Sequence, residues 1–352
     1  MATYAQAGVD IEEGDKASKI AYDHAKATFA SRKGMIGEPL QDDGGFTGAL
    51  DMGDFLLVQN DDGVGTKMEV AERLGKFDTL GYDLLAMVAD DAACVGAETI
   101  SITNTLDTNK INAETIEALM AGLEKACIEN KVVVPGGELA EVGNSVNGNV
   151  WNATAVGVLQ KDKRITGADL AKGDVLIGLK SAGFRSNGFS LVRHILKEAF
   201  GDNWHEAPYE GPQDSTNDKD QYAGKSWGEV VLTPSIIYNN LIMALHGRYQ
   251  QPAQVQLKGV VHVTGGGIQG NLDRLLKNTG EGVPLKADLN NLPAPHDPML
   301  KLMELGIVSK EEAYKTWNMG VGMILVISPE EQEKTLEICA DKGYEAQVIG
   351  TL

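Results

Sequence analysis

Asp61, Asp62, Gly63, Gly65 and Lys67 fall within seven residues, directly after the apolar run Phe55-Leu56-Leu57-Val58. Carboxylates free of neighbouring bulk suit a hard divalent cation. Glycines let backbone N–H groups approach phosphate oxygens, and a lysine adds a point charge. Residues 60–67 therefore have the composition for handling a magnesium nucleotide. Taken alone, they also read as an Asp-Gly turn followed by a solvated lysine. They do not form a Walker A loop, because the G-x-x-x-x-G-K-[ST] spacing is absent.

The flanking pattern says which elements hold these residues. Residues 15–32 have helical spacing and lead to the loop Gly44-Gly45-Phe46-Thr47-Gly48. A strand is expected over 54–59. A helix follows over 79–95, where Leu80, Leu84, Met87, Val88 and Asp91 share one stripe. Asp91 then sits at the edge of the buried face. Residues 99–105 alternate as a strand does. Residues 112–129 form an amphipathic helix with Asn112 at its N-cap. The strand Val132-Val133-Val134 runs into a loop, Pro135-Gly136-Gly137-Glu138. Asn147-Gly148 signals a hairpin into a returning strand over 150–159.

A charged, irregular stretch at 160–173 divides the chain, giving expected domains at 1–165 and 166–352. The second half opens with a strand over 175–179 and a glycine-serine loop into a helix from Gly188. Residues 200–228 are polar and read as a long surface loop. A helix is expected after Thr233-Pro234. Strand 260–263 runs into Thr264-Gly265-Gly266-Gly267, again before a helix. Ser328-Pro329-Glu330-Glu331 reads as a capping box, and the last strand covers 346–349. Each half mixes strands and helices, an α+β pattern used twice.

Charge and cysteine content narrow the function. The net charge of −19 argues against a general nucleic-acid surface, which needs a basic face to displace counterions. No apolar run approaches the ~18 residues of a membrane span. The amino terminus has neither a basic n-region nor an apolar h-region, so no signal peptide is expected. Cys94, Cys127 and Cys339 are widely spaced in apolar patterns and read as buried free thiols in a reducing cytoplasm. Glycine supplies 41 of 352 residues, about 12 % against an average near 7 %. The excess sits in short clusters, as several phosphate-facing loops require.

Five such clusters stand in order: Asp61-Asp62-Gly63-Val64-Gly65-Thr66-Lys67; Ala89-Asp90-Asp91; Gly136-Gly137-Glu138; Ser186-Asn187-Gly188-Phe189-Ser190-Leu191; and His262-Val263-Thr264-Gly265-Gly266-Gly267. Together they resemble the aminoimidazole ribonucleotide (AIR) synthetase family, the phosphoribosylformylglycinamidine cyclo-ligases of de novo purine synthesis. Ala7-Gly8-Val9-Asp10-Ile11, Asp78-Thr79-Leu80-Gly81-Tyr82-Asp83-Leu84 and Asn318-Met319-Gly320-Val321-Gly322-Met323 extend the resemblance to nearly the whole chain.

The resemblance implies two α+β domains: an N-terminal ATP-binding and dimerisation domain, and a C-terminal α/β domain. The N-terminal domains of two chains would pair into a shared β-barrel in a homodimer. The implied reaction is ATP-dependent closure of formylglycinamidine ribonucleotide to aminoimidazole ribonucleotide, with ADP and phosphate released. Phosphorylation of the formamide oxygen makes a good leaving group, and an amidine-side nitrogen then attacks. Such a transfer needs charge neutralisation more than covalent catalysis.

On that resemblance, Asp62, Asp91 and Glu138 are the candidate Mg²⁺ ligands, and Lys67, Asp91, His262 and Arg185 the catalytic candidates. Asp62, Gly63, Gly65, Thr66, Lys67, Gly136, Gly137, Ser186 and Asn187 would hold ATP. Gly265, Gly266 and Gly267 would hold the substrate 5′-phosphate or help position substrate. His262 would exchange a proton near the substrate, or be a satisfied histidine at a strand end. Three positions depart from the family's usual pattern: Asp61 and Leu139 replace threonine, and Arg185 replaces histidine. Arginine cannot act as a base but can clamp phosphate; a solvated loop arginine is the other reading. Two further readings stand beside the ligase. One is another ATP-using member of the same superfamily, such as thiamine-monophosphate kinase or selenophosphate synthetase. The other is a nucleotide-binding paralogue without turnover.

Overall fold

The computed structural model describes residues 11–40, 47–211, 219–277 and 285–352. The opening motif at 7–10 and the glycines at 44–45 lie outside the described residues. Ten strands are found among the described residues, in two sheets. The first contains β1 (Glu38–Pro39), β2 (Gly48–Asp51), β3 (Leu56–Gly63), β4 (Glu98–Thr108), β5 (Val133–Glu141) and β6 (Asn149–Leu159), ordered β1-β2-β3-β6-β4-β5. The second contains β7 (Val175–Lys180), β8 (Gly259–His262), β9 (Val321–Ile327) and β10 (Ala346–Thr351), ordered β10-β7-β9-β8. Every neighbouring pair is antiparallel except β4 and β5, which run parallel. The helix Ala113–Asn130 makes their crossover, as parallel neighbours require.

The helix Leu80–Cys94 lies between the two sheets. It packs on β3, β4 and β6 of the first half and on β8 and the helix Asn239–His246 of the second. Thirteen of its residues are buried, Asp83 and Asp90 among them. A helix enclosed on all sides must be apolar except where each polar group finds a partner. It meets the helix Ala113–Asn130 at two glycines. A Cβ on Gly81 would sit 2.2 Å from the Leu123 nitrogen, and one on Gly122 would sit 2.1 Å from the Asp78 oxygen. Asn112 caps the latter helix as expected, its side chain accepting from Thr115 N. One apolar cluster crosses between the halves, running from Leu84, Leu106 and Trp151 to Phe189, Trp227 and Trp317.

Four expectations need correction. Asp61, Asp62 and Gly63 do not form a loop after a strand; they are the last residues of β3, paired along β6. Gly136, Gly137 and Glu138 likewise continue β5 against β4. Ladder bonds to a neighbour override the low strand propensity of glycine and aspartate. Asn147-Gly148 turns the chain, with Gly148 at φ 79°, but makes no hairpin. Its flanks, β5 and β6, lie on opposite sides of β4. A turn signal is local, whereas the strand's partner is chosen by non-local pairing. Finally, Ser328 makes no side-chain cap bond. The capping box instead joins Ser226 and Glu229, inside the stretch expected as a loop.

Candidate active site

Three carboxylates project from the helix Leu80–Cys94, and each meets a group delivered by another element. Asp83 Oδ1 accepts from Lys67 Nζ at 2.8 Å and from Ser235 N and Oγ at 3.0 and 2.5 Å. Asp90 Oδ2 accepts from Arg185 at 2.9 Å, and its Oδ1 accepts the backbone N–H groups of Tyr238 and Asn239. Asp91 Oδ1 lies 2.7 Å from His262 Nδ1. The irregular segment 233–238 is anchored by these bonds. That is why the helix expected after Pro234 begins only at Asn239.

Asp62 completes the group. Its row in the first sheet, opposite Ala153, faces inward. Burial raises its carboxyl above the ordinary range. The Gly63 N–H opposes that shift, and the Asp91 carboxylate adds to it. The like charge of Asp91 acting on Asp62 is one that a bound cation would relieve. Magnesium takes one or two carboxylates and completes its shell with water and phosphate oxygens. Asp62 and Asp91 fit that demand.

Glu138 does not join them within the chain. Across the sheet it is aligned with Thr105, Asn152 and Gly63, a row whose Thr105 is exposed. It therefore points to the outer face, three strands from Asp62's strand, or about 14 Å. Among the described residues no three His, Cys, Asp or Glu side chains converge as a metal cluster.

Lys67 and Arg185 are not placed as their sequence roles require. Lys67 opens the helix Lys67–Leu74, yet its side chain is wholly buried. Its ammonium donates to Asp83 and to the Thr233 carbonyl at 2.6 Å and lies above the Phe189 ring. Burial pushes its pKa down, and Asp83 opposes that. Arg185, at φ 59°, is 1 % exposed. Its guanidinium donates to Asp90, to the Ile236 carbonyl at 2.8 Å and to His262 Nε2 at 2.8 Å. It also stacks 5.0 Å from the Tyr238 ring centroid. Both cations are buried, each paired with a buried acid.

The glycine loops are closer to expectation. Gly266 and Gly267 have φ of 96° and 66° and start the helix Gly267–Leu276 without a side-chain cap; the Gly267 N–H donates to the Thr264 carbonyl at 3.1 Å, closing the loop on itself. Asn271 Nδ2 ties the loop by donating to the Gly267 and Gly265 carbonyls. The Gly65 turn, φ 63°, faces the Ser186 carbonyl, so the first and fourth motifs meet. Ser186 Oγ is buried with no hydrogen-bond partner, and Thr66 makes no side-chain cap bond; both hydroxyls remain for a ligand. Asn187 contacts Met87 Sδ. Gly136 has open space where a Cβ would stand. Gly188 is walled by Trp317.

Sequence reasoning left Asp83, Asp90, Tyr238 and Asn271 without roles. The acids had a usable signal: positions 83 and 90 share the buried stripe of an otherwise apolar helix. Nothing local marked Tyr238 or Asn271. Cys94, Cys127 and Cys339 are buried free thiols, as expected. Burial raises the Cys94 thiol well above its ordinary value, so it is no nucleophile.

With the site in view, likeness to known proteins can be stated. The AIR synthase related protein family matches both halves: its N-terminal domain over residues 42–159 and its C-terminal domain over 171–352. The phosphoribosylformylglycinamidine cyclo-ligase of Pyrococcus furiosus is 37 % identical over 352 residues, covering 100 % of this chain and 95 % of that protein. The Clostridium perfringens enzyme of the same name is 34 % identical, with coverage of 99 % and 96 %. Solved structures share the fold at lower identity. A chain of the HypE-HypF complex gives a TM-score of 0.58 at 18 % identity, covering 87 % of this chain and 86 % of that one. T. maritima PurL complexed with FGAR gives 0.57 at 15 % identity, covering 94 % of this chain and 46 % of that one. Full-length identity above 30 % and matches to both domains place the chain in the phosphoribosylformylglycinamidine cyclo-ligase (AIR synthetase) family.

Proposed function

We propose that the chain is a carbon–nitrogen ligase that closes the imidazole ring of formylglycinamidine ribonucleotide. It consumes ATP and releases aminoimidazole ribonucleotide, ADP and phosphate in de novo purine synthesis. The observation that carries this reading is the full-length match to the cyclo-ligases, joined in the structure by Asp91 held on His262, two residues before the glycine loop 264–267. Mg²⁺ held by the two carboxylates would neutralise phosphate charge during transfer. Gly63, Gly65, Thr66, Ser186 and Asn187 would line the nucleotide, and Gly265, Gly266 and Gly267 the substrate phosphate. Lys67 and Arg185 act on the frame of the site.

The active unit in this reading is a homodimer. The outer face of the first sheet presents Ile100 and Val150, each 41 % exposed, beside Leu57, Val156 and Val158. A second copy laid on that face would close the barrel. Glu138 and Gly136-Gly137 lie on the same sheet's β5 edge and would act from the second copy. Residues 1–165 form the ATP-binding and dimerising domain, and 166–352 the other. No described helix is long and apolar enough to cross a membrane; we place the enzyme in the cytoplasm, without nucleic-acid partners.

The test is a single-turnover reaction of the full chain with ATP, Mg²⁺ and formylglycinamidine ribonucleotide. ADP and aminoimidazole ribonucleotide should form in equal amounts. ATP bound without ADP produced would identify a non-catalytic paralogue. ADP formed only with another acceptor would identify a different superfamily activity.

A further inference from the structure

We infer that Arg185 locks His262 as the neutral Nδ1–H tautomer, making His262 a positioning residue for Asp91 rather than an acid or base. The inference builds on the reading of Asp91 as a magnesium ligand.

A guanidinium has five N–H donors, no acceptor, and keeps its charge in proteins. Its 2.8 Å contact with His262 Nε2 therefore needs a lone pair on that nitrogen. A neutral imidazole with a bare Nε2 carries its only N–H on Nδ1. Nδ1 lies 2.7 Å from Asp91 Oδ1, so the bond runs from histidine to carboxylate. The order Arg185 to His262 to Asp91 is fixed in direction. An imidazolium would set an N–H against the guanidinium, with like charges in contact.

Arg185 cannot turn away to release the ring. Asp90 and the Ile236 carbonyl hold its fork from the other sides, and Tyr238 covers its face. Asp90 is itself fixed by the N–H groups of Tyr238 and Asn239. His262 is wholly buried, and both ring nitrogens are committed, so no proton passes between it and a substrate. Its bond occupies Asp91 Oδ1 and orients the carboxylate whose charge Asp62 feels. Outer partners of this kind set ligand orientation and affinity. Arg185 is a positioning residue one step further out.

The experiment has a spectroscopic arm and a binding arm. The full chain, labelled with ¹⁵N-histidine, is studied by long-range ¹H–¹⁵N correlation at pH 7.5 without nucleotide or metal. His262 should show a protonated Nδ1 and a bare Nε2. A protonated Nε2, in either the other tautomer or the imidazolium, overturns the inference. In the second arm, Mg²⁺ is titrated calorimetrically into the protein saturated with a non-hydrolysable ATP analogue. Arg185→Met should release the tautomer and weaken Mg²⁺ by about tenfold or more. Arg185→Lys, which keeps a cationic donor, should recover part of both effects. Unchanged Mg²⁺ affinity and an unchanged His262 spectrum in folded Arg185→Met overturn the proposal. If that variant does not fold, the wild-type spectrum and Arg185→Lys decide. Neither arm reads turnover, so a chain that fails to close the imidazole ring would refute the ligase reading alone.

Discussion

Lys67 and Asp83 form an ion pair with both side chains wholly buried, Nζ to Oδ1 at 2.8 Å. The same ammonium donates to the Thr233 carbonyl. The first glycine motif is thereby tied to the helix between the sheets and to the segment that fixes Asp90. Removing one member of a buried pair leaves an unpaired charge and costs about 3–5 kcal/mol. Lys67→Met should lose that much in urea unfolding, whereas Lys67→Met with Asp83→Leu should lose clearly less. Equal losses would show that the pair is not coupled.

Assembly through the outer sheet face gives a complementation result. In a shared site, Asp62 comes from one copy and Glu138 from the other. Asp62→Asn and Glu138→Gln homodimers should each lose most activity. Mixed by co-refolding, half the dimers are hybrids with one intact site of two, so about a quarter of wild-type activity should return. No recovery would mean that each chain's acids serve its own site. Val150→Asp, on the exposed face, should shift the chain to monomer in sedimentation and abolish turnover.

Helix contact at Gly122 is close enough to forbid a methyl group. A Cβ there would stand 2.1 Å from the Asp78 carbonyl oxygen. Gly122→Ala should destabilise by about 1–3 kcal/mol through overpacking, despite alanine's better helix propensity. A raised Tm would show that the helices can separate without loss.

His246 links the halves through a 2.8 Å bond between Nε2 and the Lys163 carbonyl. Burial pushes its imidazole below the ordinary value, against that bond. Below about pH 6.5 the unfolded chain takes up a proton that the folded chain resists. Its stabilising contribution is therefore full above that pH and lost as pH falls through the depressed value. Comparing chemical stability at pH 7.5 and 5.5, the wild type should lose more on acidification than His246→Gln. Subtracting the variant removes opposing terms from Asp62 and Glu72, whose carboxyls burial raises. Identical losses would show that His246 is not the sensor.

The sequence by itself determined what local chemistry controls. The apolar stripe through Leu80, Leu84, Met87 and Val88 set a buried helix and put Asp91 at its rim, where it stands. Asn112 marked a cap that forms. The ordered glycine and acid motifs determined the family. Tertiary structure alone decided partners and faces. Whether Lys67 meets phosphate or Asp83 depends on a helix 16 residues later in the chain. Arg185 is claimed by Asp90, 95 residues away, and by His262, 77 away. In water each cation would be solvated; inside the fold each must satisfy a buried carboxylate first. Glu138 shows the same limit. Its type was legible, but its side of the sheet follows from strand register, and a one-residue slip would have turned it inward.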